Sequence, residues 1–382
     1  MYRCYKVRLY PTKEQEELMW KHVNACRYIW NWMLEYCKTE YIQGRKTPKE
    51  YEMIKLLSPL INDGNHDWLK EPSVSCYQTI CRDLRKAYER FFNGISRYPK
   101  FKSKKHAKNI FPIRCNRMYF KDDNFLFVEK IGKIKYKTDF KFLYGRNRHK
   151  FTDSRIRNIN GKWLVIFGME CENQAYKYSL KNVSMGIDLG IKELAVVEYN
   201  GNKIVFHNIN KSKRIKYFKK QIKHTHRSMM RKFIKNKKGN IYIKTNNIMK
   251  DIYKLRKLYA RMYNIRVDYI NKTTHYLVSL LPKRVVMETL SIKGMMKNRC
   301  LSRAISEQYW GEFIRQMKYK CEQRGIEFIT ADKFFPSSKK CSCCGSVKKI
   351  LHLRERVYKC EKCGIVIDRD YNAAINLSRY IV

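Results

Sequence analysis

Acidic residues are scarce in this chain: 34 Asp and Glu stand against 82 Lys and Arg, leaving a formal charge of +48 over 382 residues. Self-repulsion of that size on a folded body calls for a polyanion as counterpart. It exceeds what a short DNA site needs, because a protein that neutralises about 6–10 phosphates already binds with steep salt dependence. The charge therefore points to a long nucleic-acid ligand, or to two. Long apolar runs are missing as well. No stretch reaches the roughly 18–20 residues that span a bilayer, and Met1-Tyr2-Arg3-Cys4-Tyr5-Lys6 opens no signal-like segment. The expectation is an intracellular protein with no membrane partner. No Gly-x-x-x-x-Gly-Lys-Ser/Thr loop occurs, which argues against an ATP-driven motor. The histidines are isolated and form neither a Ser-His-Asp set nor a ligand set, and no internal repeat is visible. Apolar residues at 44% and aromatics at 14% are enough to bury several cores, so disorder is a poor reading and the length suggests two or three domains.

Residues 2–9 alternate as a short strand. Pro11-Thr12 then opens a helix expected to run to about Cys37, with Thr12 and Gln15 at capping-box spacing. Leu18, Met19, Val23, Cys26, Ile29, Trp30, Met33 and Leu34 recur at helical intervals and read as core. A second helix is expected over residues 75–92. Arg97 and then Tyr98-Pro99-Lys100-Phe101-Lys102-Ser103-Lys104-Lys105 place basic residues between aromatics after a helix-breaking proline, a composition that suits a phosphate backbone. A solvated loop is the plainer alternative. From residue 110 to 171 short alternating segments suggest a small β-barrel or sandwich that the first strand can join.

Met185-Gly186-Ile187-Asp188-Leu189-Gly190 begins a buried strand, followed by strands over residues 194–199 and, across an Asn200-Gly201 turn, 203–207. A long basic helical region is expected from 211 to about 280. Its first third carries Lys213, Arg214, Lys220, Arg227 and Arg231, on a face that meets phosphates unless the hairpin is merely solvated. A strand over 284–288, a helix over 306–323 and a strand over 326–330 complete the order β-β-β-α-β-α-β.

Asp188 stands near the end of an otherwise apolar strand, where burial is costly unless the carboxylate meets a cation or a partner. Glu288 repeats the arrangement. Asp370, in Asp368-Arg369-Asp370-Tyr371-Asn372-Ala373-Ala374, precedes a predicted helix and can bring a third carboxylate to the same strand ends; Asp368, two residues away, is not separable from it on these grounds. Singly, each acid reads as a cap, a surface group or an ion-pair partner. Three together suit hard cations: two Mg²⁺ ions ~3.5–4 Å apart activate a water and stabilise the leaving oxygen of a phosphodiester. Cys341-x-x-Cys344 and, fifteen residues on, Cys360-x-x-Cys363 have zinc-ribbon spacing, in which four thiolates close a structural Zn²⁺ site. The remaining cysteines include a spare thiol at Cys343 and nine scattered singly, which fits a reducing compartment.

These residues together resemble the TnpB family of transposon-encoded, RNA-guided endonucleases, relatives of compact type V CRISPR effectors. The resemblance covers nearly the whole chain. It rests on Tyr5-Lys6-Val7-Arg8-Leu9-Tyr10-Pro11-Thr12-Lys13-Glu14-Gln15, Arg97-Tyr98-Pro99-Lys100-Phe101-Lys102, Gly186-Ile187-Asp188-Leu189-Gly190, Pro336-Ser337-Ser338, the cysteine pairs and the run from Asp368 to Ala374. It implies an α+β multidomain protein: a RuvC-like nuclease of RNase H fold with inserted basic helices and a zinc ribbon, preceded by a helical recognition domain and a β-barrel wedge domain. The implied boundaries are 1–10 and 98–180 for the wedge, 11–97 for the recognition domain, 181–335 and 365–382 for the nuclease and 336–364 for the ribbon. By motif position the triad is Asp188, Glu288 and Asp370, with Asp368 as fallback. The resemblance further implies a guide RNA from the transposon end, double-stranded target DNA beside a short flanking motif, and a monomer with one RNA at the bacterial nucleoid. Base pairing would read sequence while the protein reads backbone shape and the flanking motif. Ser75 and Gln78 stand at flanking-motif contact positions, with Val74 where a relative has a basic residue.

Three rivals share parts of this pattern. A compact CRISPR effector would take an array RNA, often as a homodimer. A guided binder would not cut, and the intact acids count against it. A guide-free transposase or junction resolvase of RNase H fold would need no large RNA.

Overall fold

The computed structural model describes residues 2–104, 107–121, 124–137, 151–152, 154–170, 179–352 and 355–381. The chain divides into two compact units, residues 1–172 and 173–382, each a mixture of helix and sheet. Among the described residues no helix is long and apolar enough to cross a membrane.

In the first unit, strands β1 (Tyr2–Tyr10), β2 (Ile110–Ile113), β3 (Met118–Lys121), β4 (Phe125–Val128), β5 (Gly132–Tyr136), β6 (Ser154–Ile159) and β7 (Lys162–Glu170) form a seven-stranded sheet in the order β2-β6-β7-β1-β5-β4-β3. The N-terminal strand lies at its centre, antiparallel to β7 from Tyr2↔Glu170 to Leu9↔Trp163 and to β5 at Leu9↔Tyr136. Helices α1 (Lys13–Ile42), α2 (Glu50–Lys55), α3 (Leu57–Ile61) and α4 (Val74–Phe92) share one core with this sheet. The capping box forms as its spacing predicts, with Thr12 accepting from the Gln15 amide and the Gln15 side chain accepting from the Thr12 amide. Met19, Val23, Cys26, Ile29, Trp30, Met33 and Cys37 make the buried stripe of α1. The helix continues five residues beyond the expected end at Cys37, because apolar periodicity reports burial rather than helicity; it stops before Gly44, whose φ of 74° is left-handed.

In the second unit, β8 (Lys181–Leu189), β9 (Glu193–Tyr199) and β10 (Asn202–His207) form an antiparallel meander, turned at Asn200 and Gly201 with φ of 51° and 77°. Next come α5 (Lys213–Lys235), the short strands β11 (Lys237–Lys238) and β12 (Ile241–Tyr242), and α6 (Asn246–Ser279). Strand β13 (Pro282–Met287) runs parallel to β8. After α7 (Ile292–Met295), α8 (Ser302–Gln308) and α9 (Trp310–Arg324), β14 (Glu327–Thr330) runs parallel to β13. The sheet order is β10-β9-β8-β13-β14. The helix expected over 306–323 is broken at Tyr309, whose φ of 57° is left-handed; its ring lies between Tyr263 and the Arg266 guanidinium. The chain ends with β15 (Val357–Lys359), β16 (Val366–Asp368) and α10 (Arg369–Ser378).

Alternation along the strands sorts the second unit's sheet into two faces. Met185, Ile187, Leu189, Val285 and Met287 pack with Leu277 and Val278 of α6 and with Phe313, Met317 and Cys321 of α9. The opposite face carries Val286, which packs with Leu377 of α10 and Ala331. Gly186 lies on that face too, and a Cβ built there would overlap the Ala374 carbonyl and the Ser378 amide of α10. The helix therefore seats backbone to backbone on β8. Arg284 fixes its far end, donating to Ser184 Oγ at 2.9 Å and to the Ser378 carbonyl at 3.4 Å. Overpacking of this kind costs about 1–3 kcal/mol, sometimes more, at roughly 2–4 °C per kcal/mol. Gly186→Ala is expected to lower the calorimetric Tm by about 5–10 °C; an unchanged Tm would show that α10 does not seat there.

Candidate functional site

In the parallel ladder Met287 pairs with Ile187. The next residue on each chain, Glu288 and Asp188, therefore lie side by side at the carboxyl ends of neighbouring strands, on the face that α10 covers. Asp370 sits in the first turn of that helix. Asp188 is only 8% exposed. Burial pushes its carboxyl far above the usual range, and the charges of Glu288 and Asp370 push the same way, with Arg369 opposing them. Burial likewise raises Glu288 to about 7, against the hydrogen bond with Asp188 and with a further push from Asp370. Asp370 is raised by burial and by Asp368, while Arg356, Arg369 and Lys192 pull it down. Such a cluster binds protons more readily than isolated carboxylates do, and a cation that replaces them relieves the repulsion.

Asp368 has different work. It is the N-cap of α10, accepting from the Tyr371 amide at 2.9 Å, and it pairs with Lys203 at 3.4 Å with its side chain 43% exposed. Of the two acids the sequence left unseparated, Asp370 is the more enclosed and stands closer in effect to Asp188.

Among the described residues, the four thiols of Cys341, Cys344, Cys360 and Cys363 form a group whose ligand atoms all lie within 4.8 Å of one another. Sulfur separations of 3.6 Å, for Cys341–Cys363 and Cys344–Cys360, fit the edge of about 3.8 Å of a tetrahedron with Zn–S bonds near 2.3 Å. The donor set thus fits zinc. Residues that sequence reasoning passed over tie this centre to α10. Buried Asn372 accepts from the Ser342 amide at 2.9 Å and donates to the Lys340 carbonyl at 2.8 Å. Asn376, one turn on, donates to the Ser337 and Lys340 carbonyls at 2.8 and 2.6 Å, and Arg379 donates to the Ser342 carbonyl. Ala373 and Ala374 between them are fully buried. The Asn-Ala-Ala run therefore has two duties: its amide side chain grips the first knuckle, and its small residues permit the close approach at Gly186. The second knuckle leads through β16 directly into the N-cap of the same helix. Two amides at i and i+4 on a short helix were the signal in the sequence.

Lys213, Arg214, Lys220, Arg227 and Arg231 are all exposed on α5, while Ile215, Phe218, Ile222 and Met229 are buried against α6. Lys219 and Lys232 are instead engaged with Glu307 and Asp251. Arg97, Lys100 and Lys104 are exposed, and Lys105 lies outside the described residues. Lys102 departs from its neighbours. Trp30 Nε1 donates to the Lys100 carbonyl at 3.0 Å, and Asn31 accepts from the Lys102 amide at 2.8 Å and donates to its carbonyl at 3.0 Å. The segment is thereby pinned along α1 and Lys102 turns inward over the Trp30 ring rather than outward as a loop cation. On α4, Ser75 Oγ lies 2.7 Å from Ser73 Oγ, which itself donates to Glu129; Gln78 is half-buried and Val74 exposed.

Three family models match in order along the chain: "Helix-turn-helix domain" over residues 1–46, "Probable transposase" over 169–299 and "Cas12f1-like, TNB domain" over 310–377. A Streptomyces pristinaespiralis protein is 29% identical over 384 residues, covering 98% of this chain and 88% of the relative. Escherichia coli K12 InsQ is 26% identical over 396 residues, covering 98% and 91%. Both carry the name "Putative RNA-guided DNA endonuclease". Among solved structures, that of the mini-RNA-guided endonuclease CRISPR-Cas_phi3 aligns over 99% of this chain and 92% of its own with a TM-score of 0.47 at 12% identity, a distant likeness. Matched by transposase and Cas12f1-like models in turn, and nearly end to end by these relatives, the chain resembles the TnpB family.

Proposed function

We propose that this chain is an RNA-guided DNA endonuclease that cuts by two-metal phosphodiester hydrolysis at Asp188, Glu288 and Asp370. The observation that carries the reading is the placement of these three carboxylates at the ends of two parallel strands and one helix, where the charges of Glu288 and Asp370 act on buried Asp188. Two Mg²⁺ ions, when bound, would activate water and stabilise the leaving oxygen. Asp188, Glu288 and Asp370 would together hold the ions. Gly186 fixes the helix that presents Asp370, and Asp368 caps that helix. The second unit reads as a RuvC-like nuclease of RNase H fold over 181–335 and 365–382, supported by a three-stranded meander extended by two parallel strands. Residues 336–364 read as a zinc ribbon that supports α10 without cutting. In the first unit, 11–97 reads as the recognition domain and 1–10 with 98–180 as the wedge.

The partners in this reading are a guide RNA from the transposon end and double-stranded target DNA beside a flanking motif, with one protein per RNA in the bacterial cytoplasm. The charge of +48 and the exposed cations of α5 support a ligand of that length. Ser75 and Gln78 are proposed for the flanking motif, and Arg97, Lys100, Lys104, Lys213, Arg214, Lys220, Arg227 and Arg231 for the backbones.

The test is depletion of a plasmid library carrying a fixed target beside randomised flanks, with the protein co-expressed with RNA reprogrammed from its own locus. One flank class is expected to disappear. Asp188→Ala is expected to restore it, and Asp370→Asn to slow cutting in vitro by about 10²–10³-fold or more. Asp368→Asn, which keeps a capping oxygen, is expected to stay within about tenfold of the parent with little change in stability. Equal losses at 368 and 370 would sink the assignment, and undepleted libraries from RNA-loaded protein would sink guided cutting.

Acidity offers a second check. The folded-state pKa of Glu288 lies above its unfolded value, so its contribution to stability is present below pH about 4.5 and is lost as the pH rises through about 7. Metal-free protein should therefore melt at a lower temperature at pH 8 than at pH 5.5, and Glu288→Gln should flatten that difference. A pH difference unaffected by the substitution would place the titrating group elsewhere.

A further inference from the structure

The inward turn of Lys102 leaves a charge unanswered. Its Nζ lies 3.2 Å from the Trp30 ring centroid, on the wall of a cavity of about 290 Å³ in the first unit. Burial, with Arg155 adding to it, lowers the ammonium's pKa to about 8, against the pull of Asp83. Asp83, the acid lining the same cavity, is already held by Arg155 at 2.8 Å. Two more cations line the cavity, half-buried Arg27, whose bond to Asn24 is long at 3.3 Å, and exposed Lys108. Among the described residues, then, three cations face this space beside one internally neutral pair. The remaining lining is apolar, with Val23, Ile80 and Pro112 among it. The Lys102 backbone is fixed by both groups of the Asn31 amide, so the cation is presented by a rigid element. A half-buried ammonium on a π face, with no carboxylate of its own, is poised to gain from an incoming anion.

We infer that this cavity is a binding site for a single phosphorylated nucleotide, its phosphate held by Lys102, Arg27 and Lys108 and its base lodged against the apolar wall. The volume is at the small end of ligand pockets, about 300–1,000 Å³, a size that suits one nucleotide and not a strand. The same chemistry is offered by a 5′-terminal phosphate or by a nucleotide turned out of a longer strand. This inference does not rest on the carboxylate site, and its test reads binding alone.

Calorimetric titration of the full chain, stripped of nucleic acid, with AMP, dAMP and inorganic phosphate is the direct experiment. One site is expected to take AMP or dAMP more tightly than phosphate, and Lys102→Met is expected to weaken it at least tenfold. Its Tm should be unchanged or higher, because a desolvated charge is removed; Arg27→Gln serves as a second variant if that protein fails to fold. Short oligonucleotides with and without a 5′-phosphate separate the sources: displacement of AMP by the phosphorylated form alone points to a chain end, and displacement by both to an internal nucleotide. No binding of AMP or dAMP, or binding untouched by both substitutions, overturns the site. Nucleotides binding no tighter than phosphate overturns its nucleoside part.

Discussion

Helix α10 rests on strand β8 with no side chain between their backbones at Gly186, and the proposed site of the second unit depends on that contact. A helix held at ordinary side-chain distance from the sheet would carry its first turn away from the strand ends. Seated as it is, the first turn holds Asp370 where its charge acts on Asp188 and Glu288, and Asp368 caps that turn. The neighbouring residues serve the same seat: Ala373 and Ala374 are small enough to be buried beneath the helix, and Arg284 answers the carbonyl at its other end.

Electrostatically the arrangement is unfavourable without a ligand. Glu288 and Asp370 both raise the affinity of Asp188 for protons and Asp370 raises that of Glu288, while the nearby Arg369, Arg356 and Lys192 oppose the rise at Asp188 or Asp370. In the proposed reading, bound cations offset this cost. The cysteine centre enters the same account from the other side, because Asn372, Asn376 and Arg379 hold its first knuckle and β16 carries its second into the helix cap. A closed four-thiolate site of this kind would stiffen the helix without touching substrate.

Much of this was legible in the sequence because the signals are local. The spacing of the cysteines, the Thr12–Gln15 box, the Asn200-Gly201 turn and the alternation around Asp188 each lie within a few residues. What was not legible depends on distant partners. Choosing between Asp368 and Asp370 needs the direction of a helix start, and the hydrogen bond of Asp368 to Tyr371 and its ion pair with Lys203 favour Asp370 in the proposed site. Lys102 reads as one cation in a basic run until Asn31 and Trp30, some seventy residues earlier, turn it inward. The break at Tyr309 is invisible to a periodicity that continues through it, and the Asn-Ala-Ala run reveals its duties only when Gly186 is beside it.

The central claim, that these three carboxylates together hold the ions that cut, is tested most directly by crystals of a ternary complex with uncleavable DNA grown in Mn²⁺, using anomalous scattering. The account expects two manganese peaks held by Asp188, Glu288 and Asp370, with Asp368 ligating neither. Manganese on Asp368 in place of Asp370, or none at the strand ends, would contradict it.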